Sequence, residues 1–115
     1  MSTYKGMRFQ STLVPLINRY WPDSLSLGKQ GVNDKGDFHM PGNRGERGYI
    51  IEAKNCKTIE LAKWQREAEV EAKNKGVPFG VVVHKRRGTQ DPAKQWVTME
   101  FGTFLKLVHG EPVDG

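Results

Sequence analysis

The chain has 115 residues, enough for one domain with a modest core and too few for a separate regulatory domain. No apolar run approaches the roughly 18 residues of a membrane span, and Met1-Ser-Thr-Tyr-Lys-Gly6 lacks the apolar segment of a secretory signal, so a cytoplasmic protein is expected. Eighteen Lys and Arg against 13 Asp and Glu give +5, a balance that favours a polyanionic partner.

In chain order, Phe9, Leu13, Leu16, Ile17 and Tyr20 recur at helical spacing, which predicts a helix over Met7–Tyr20, with Pro15 as a kink and Trp21-Pro22 as its end. Leu25 and Leu27 alternate with serines and suggest a short strand, followed by a glycine-rich loop over Gly28–Gly36. Asp37–Met40 and Tyr49–Lys54 read as two strands joined through a polar turn, an antiparallel hairpin. Thr58 is the expected N-cap of a helix reaching Lys75, with Leu61, Trp64 and Ala68 on its buried face and Gly76 as the stop. The apolar run Pro78–Val83 has the character of a central buried strand. Gln95–Met99 predicts a last strand and Phe101–Val108 a closing helix. The order α-β-β-β-α-β-β-α is that of an α/β domain with a mixed central sheet flanked by helices, with a core over about residues 6–108 and a tail over 109–115.

The chemistry concentrates around Glu52-Ala53-Lys54. Residues two apart on a strand share a face, so Glu52 and Lys54 project together. If Asp37 lies on the neighbouring strand, two carboxylates make a hard oxygen site suited to Mg²⁺, with the Ala53 carbonyl as a further ligand. Such an ion stabilises charge on a phosphate under attack, and Lys54 beside it can orient water or neutralise developing charge. An acid and a lysine on the inner face of a strand as apolar as Tyr49-Ile50-Ile51 are costly unless paired or metal-bound. The bland alternative for the triplet alone is a surface ion pair.

Five ordered blocks extend that reading: Gly6-Met7-Arg8-Phe9, Asp34-Lys35-Gly36-Asp37, Ile51-Glu52-Ala53-Lys54-Asn55, Leu61-Ala62-Lys63-Trp64 with Glu67-Ala68-Glu69-Val70-Glu71-Ala72, and Val81 to Gly88. With these blocks the chain, over roughly Gly6–Leu107, resembles the PD-(D/E)XK nuclease superfamily, and within it small Holliday junction resolvase-like proteins of actinobacteria and their phages. The resemblance implies a restriction-endonuclease-like core and a Mg²⁺-dependent endodeoxyribonuclease, with Mn²⁺ able to substitute. It further implies metal binding by Asp37 and Glu52, Lys54 as the catalytic lysine, and a DNA substrate branched at a four-way junction. Two symmetric cuts in such a junction imply a homodimer, and the setting implied is a bacterial or phage-infected cell. One position departs from the pattern. Relatives carry glutamate where this chain has Gln10, which can hydrogen-bond water at the metal site but brings no charge.

His84, Lys85, Arg86 and Arg87 close the apolar strand and read as a phosphate clamp, the alternative being a solvated basic turn. Lys29, Lys35, Arg44 and Arg47 flank Asp37 in two loops and are candidates for backbone contact, which positions DNA without reading its sequence. Glu67, Glu69 and Glu71 read as an exposed acidic helix face, the alternative being that Glu67 supports the metal site or contacts Lys54 and that Gln65 does similar supporting work. His39 lies two residues from Asp37, and no His or Cys at ligand spacing accompanies it or His84, so zinc is not expected. The single cysteine, Cys56, excludes an internal disulfide and is expected as a partly buried free thiol. Trp21, Trp64 and Trp96 are expected in the core or an interface. Two other functions stay open: a nicking, repair or restriction nuclease of the same fold, and a DNA-binding protein weakened in cleavage by Gln10.

Overall fold

Helix α1 (Tyr4–Tyr20) starts three residues earlier than the apolar pattern requires and carries Pro15 within its length. The computed structural model describes residues 4–20, 37–40 and 48–110, and the side chains of all of these except residues 4–7, 37, 39 and 40. The Leu25–Leu27 strand, the Gly28–Gly36 loop, Trp21 and most of the tail therefore lie outside the described residues.

Strands β1 (Asp37–Met40) and β2 (Tyr49–Lys54) form the expected antiparallel pair. Helix α2 (Leu61–Lys75) then crosses to β3 (Phe79–His84), which runs parallel to β2. A short 3₁₀ turn (Pro92–Lys94) leads to β4 (Trp96–Thr98), antiparallel to β3, and α3 (Phe101–His109) follows. The result is an α/β domain whose mixed four-stranded sheet has the order β1-β2-β3-β4.

Strand alternation divides the core between the two faces of the sheet. Phe38, Ala53 and the partly buried Tyr49, Ile51 and Val83 pack with Phe9 and Leu13 of α1. On the other face Ile50 meets Ala72 and Val77, while Val82 meets Trp64 and Ala68 of α2. The approach of α2 to β3 is so close that a Cβ at Gly80 would run into the Ala68 carbonyl.

Three expectations are corrected. Tyr20 is 72% exposed, since α1 by then has run past the sheet it packs on. Helix α2 begins at Leu61 with Glu60 at the N-cap position, so Thr58 caps nothing and Leu61, at the frayed start, is exposed. Ala72 takes the third buried position after Trp64 and Ala68. Gly76 does end the helix, in the left-handed conformation at φ 73° that glycine adopts without penalty. Among the described residues no helix is long and apolar enough to cross a membrane.

Helix α3 buries only Thr103, leaving Phe101, Phe104, Leu105, Leu107 and Val108 exposed. Trp96 and Val97 on the edge strand β4 are exposed as well.

Candidate active site at the end of the parallel strands

Glu52 and Lys54 lie on the face of the sheet covered by α2. Glu52 is buried, with 6% of its surface exposed, and the Lys54 Nζ stands 3.8 Å from its Oε1. The same ammonium reaches 2.8 Å to Oε1 of Glu67 on α2. Burial alone would push the Lys54 pKa down. The close ion pair with Glu67 and the charge of Glu52 outweigh it, and the net shift is upward. Lys54 is thus held as a cation between a strand carboxylate and a helix carboxylate.

Position 37 lies directly opposite Glu52 in the β1–β2 register. Opposed positions in an antiparallel pair share one face of the sheet, with Cβ atoms roughly 5 Å apart. The expected juxtaposition of Asp37 with the Glu52-x-Lys54 triplet is therefore present in the backbone. Successive carbonyls along a strand turn to opposite sides. That of Lys54 accepts from the Lys85 N–H at 3.0 Å on the β3 side, so that of Ala53 turns toward β1. The buried Glu52 carboxylate, the acidic residue type opposite it in register and the backbone carbonyls of the strand are hard oxygen donors of the kind Mg²⁺ takes. Among the described residues no cluster of three or more His, Cys, Asp or Glu is gathered.

Gln10 is buried, 7% exposed, on α1, and its Nε2 has no hydrogen-bond partner among the described residues. It lies on the far flank of the buried Phe9–Leu13 stripe from Arg8 and Thr12, since each helical residue turns the side chain by about 100°.

The basic run after β3 is divided. His84 is not part of a surface clamp: it is buried against Trp64, with ring centroids 5.7 Å apart, and its Nε2 is 2.8 Å from Thr98 Oγ1. Burial lowers its pKa, favouring the neutral ring. The alternation Gly80-Val82-His84, which turns every second residue of β3 toward α2, was the signal that could have found this.

Lys85, Arg86 and Arg87 form a built loop. Lys85 Nζ donates to the Arg86 carbonyl at 2.8 Å and to that of Thr89. The Arg86 guanidinium lies 4.5 Å from the centre of the Trp96 ring, a cation–π contact, and Arg87 donates to the Cys56 carbonyl at 3.0 Å. Gln95 pins the loop from within, accepting from the Arg86 N–H and donating to the Thr89 and Asp91 carbonyls. Nothing in the sequence pattern pointed to Gln95.

Glu67 is the residue whose weight the sequence understates. Its place three residues after Trp64 puts it on the rim of the buried face, and the crossing of α2 over β2 brings that rim to Lys54. Gln65 instead ties α2 to β3, donating to the Gly80 carbonyl at 3.0 Å and to Glu69 at 2.8 Å. Cys56 is a free thiol but exposed, because the chain has left the sheet beyond Lys54. Trp64 is a core residue as expected, and Trp96 is half exposed beneath Arg86. Lys29, Lys35, Arg44 and Arg47 lie outside the described residues, as do the side chains of Asp37 and His39.

No protein-family model, curated protein or solved structure matches the chain.

Proposed function

We propose that the chain is a metal-dependent DNA endonuclease built on a PD-(D/E)XK core and selective for branched DNA, most of all four-way junctions. The observation that carries this reading is the buried Glu52 paired with Lys54 on one strand face, with position 37 opposite in register. A buried acid and a cation side by side are costly to keep unless they serve each other or a ligand.

Asp37, Glu52 and the Ala53 carbonyl would hold Mg²⁺, or Mn²⁺ in its place, which supplies Lewis-acid stabilisation of the phosphate under attack. Lys54, held cationic by Glu67 and Glu52, neutralises charge developing on the phosphate oxygens or orients the attacking water. The loop of Lys85, Arg86 and Arg87, which follows directly on Lys54's neighbour in β3, grips backbone phosphates. Phosphate contacts of this kind read shape and charge rather than sequence, which favours a structure-selective substrate. Lys29, Lys35, Arg44 and Arg47, which flank Asp37 in sequence, add contacts to the DNA backbone in this reading. Action inside a bacterial or phage-infected cell accompanies it.

A homodimer is part of the same proposal, since two cuts are needed across a junction. The exposed apolar side chains of α3 and the edge strand β4 give a second copy a face to cover.

The test incubates the protein with a labelled four-way junction and a matched linear duplex, in Mg²⁺ or EDTA, beside Asp37→Ala and Lys54→Ala. Symmetric Mg²⁺-dependent nicks in the junction, absent from both variants, are the expected result. Equal cutting of both DNAs would leave a nuclease of another task, such as nicking or repair. Binding without cleavage in either Mg²⁺ or Mn²⁺ would leave a DNA-binding protein.

A further inference from the structure

A cleft of about 310 Å³ opens between α1 and the loop after β3. Arg8 and Thr12 line one wall, Lys85, Arg87 and Gln90 the other, and Asn55 lies at the end of β2 between them. Three cations from two chain segments face this space, and no carboxylate among the described residues lines it. It belongs to the α1 face of the sheet: Phe9, also in its wall, packs with Ala53 and Val83. Glu52 and Lys54 occupy the opposite face, under α2.

The two places are nevertheless neighbours around the end of the sheet. Asn55 follows Lys54 directly, and the Lys85 N–H donates to the Lys54 carbonyl. Crevices outside the carboxyl ends of parallel strands are the usual ligand sites of α/β sheets.

The loop wall is fixed before any ligand arrives. Gln95 holds the Arg86 N–H and the Thr89 and Asp91 carbonyls, and Arg87 is tied to Cys56 through one of its five N–H groups. Four donors of Arg87 and one of Lys85 are left over from these bonds. Guanidinium forks set in a rigid wall match the paired oxygens of a phosphate. The Asn55 Oδ1 is buried without a partner among the described residues, an acceptor that a bound water could meet.

We propose that this cleft binds a backbone phosphate of a second nucleic-acid segment, one that leaves the branch point on the opposite side of the sheet edge from the segment held at Glu52 and Lys54. The proposal deepens the nucleic-acid reading above and rests on it. A branched molecule presents two segments to one sheet edge, whereas a linear duplex presents one, so the cleft supplies preference for branched DNA without any base contact.

The test is fluorescence anisotropy in EDTA, where no cleavage intervenes, with a labelled four-way junction and a linear duplex of equal length. Arg8→Gln, Arg87→Gln and Gln90→Glu are compared with Lys73→Gln on the remote end of α2. Each cleft variant should weaken junction binding about tenfold, the scale of a charge-assisted hydrogen bond. Linear duplex should be weakened far less, and the two arginine variants should reduce the junction's salt slope by about one. Arg87→Gln also removes the bond to Cys56, so its melting is followed. Gln90→Glu, which removes no described hydrogen bond, carries the test if that variant unfolds.

Unchanged junction binding, or equal loss on both DNAs, overturns the proposal. Inorganic phosphate at about 10 mM, against chloride of matched ionic strength, separates the two sources of this chemistry. Phosphate that raises the melting temperature of wild type but leaves its junction affinity unchanged would assign the cleft to a free phosphate ion and overturn the strand assignment. Because binding is read without metal, a protein that cuts nothing but loses junction preference in these variants sustains the cleft while the nuclease reading falls.

Discussion

Lys54 of β2 and Glu67 of α2 form an ion pair at 2.8 Å that ties the candidate catalytic lysine to the helix covering it. Glu52 stands farther from the same ammonium, at 3.8 Å. The helix carboxylate, and not the strand carboxylate beside it in sequence, is therefore what fixes where the ammonium sits. Glu67→Gln should reduce the cleavage rate about tenfold while DNA affinity in EDTA stays unchanged. Its side chain is 41% exposed, so the loss of stability should stay below about 1 kcal/mol. Lys54→Met should abolish cleavage and cost more in stability, because it takes a cation away from the buried Glu52. Single-turnover cleavage and denaturant melts of both variants and the double variant measure the coupling. A Glu67→Gln enzyme with full activity would show that Lys54 does not depend on the helix.

The pattern of period two carried most of what was legible. It paired Glu52 with Lys54 on one face, while the continuous apolar run Pro78–Val83 located β3 within a residue. The register then set position 37 opposite Glu52. What spacing left undecided, as between an exposed Glu67 and one in contact with Lys54, was geometry between segments distant in the chain. The angle at which α2 crosses β2 decides that Glu67 meets Lys54, and no spacing within α2 encodes that angle. The cleft likewise joins Arg8 to residues 85–95, and its frame depends on Gln95, an unremarkable residue in sequence. His84 was misread because a run of four basic residues outweighed a strand alternation that already turned it inward.

The contact of α2 with β3 predicts a sharp sensitivity at Gly80. A methyl group there meets the Ala68 carbonyl and the Ala68 Cβ, both parts of a packed helix and not a flexible side-chain end. Gly80→Ala should destabilise by about 1–3 kcal/mol or more, the range for overpacking a core. It should also shift α2, and with it Glu67, away from Lys54. Gly76→Ala provides the contrast. Nothing obstructs its Cβ, and the cost of φ 73° for a non-glycine residue is about 1 kcal/mol. Chemical denaturation of both ranks them, and a Gly80→Ala protein as stable as wild type would contradict the packing described.

His84 predicts a pH dependence of stability with a defined sign. Its folded pKa lies below the ordinary value of 6.5, so at intermediate pH the unfolded chain binds more protons than the folded one. The contribution of the neutral ring is complete above 6.5 and is lost as the pH falls through the lowered folded value. Thermal melts from about pH 7.5 down to about pH 5 should show falling stability in this window. His84→Gln keeps a donor for Thr98 and does not titrate, so its melting should depend less steeply on pH over the same range. An identical slope in wild type and variant would assign the acid sensitivity elsewhere.

Gln10 gives a prediction in which stability and activity move in opposite directions. Its amide is buried and its Nε2 unpartnered among the described residues, so Gln10→Glu adds a carboxylate where burial disfavours charge. Without divalent metal the variant should be less stable than wild type near neutral pH and recover as the pH is lowered, since protonation removes the buried charge. If residue 10 faces the proposed donors at Asp37 and Glu52, Mg²⁺ or Mn²⁺ should restore the loss by binding the folded state, with a steeper dependence on metal concentration than wild type shows. Cleavage of the junction should then rise above wild type in the same titration. Melting curves with and without metal separate the two components. Destabilisation that metal leaves untouched would place residue 10 away from the proposed metal site, and the absence of a carboxylate there would then have no bearing on the proposed cleavage.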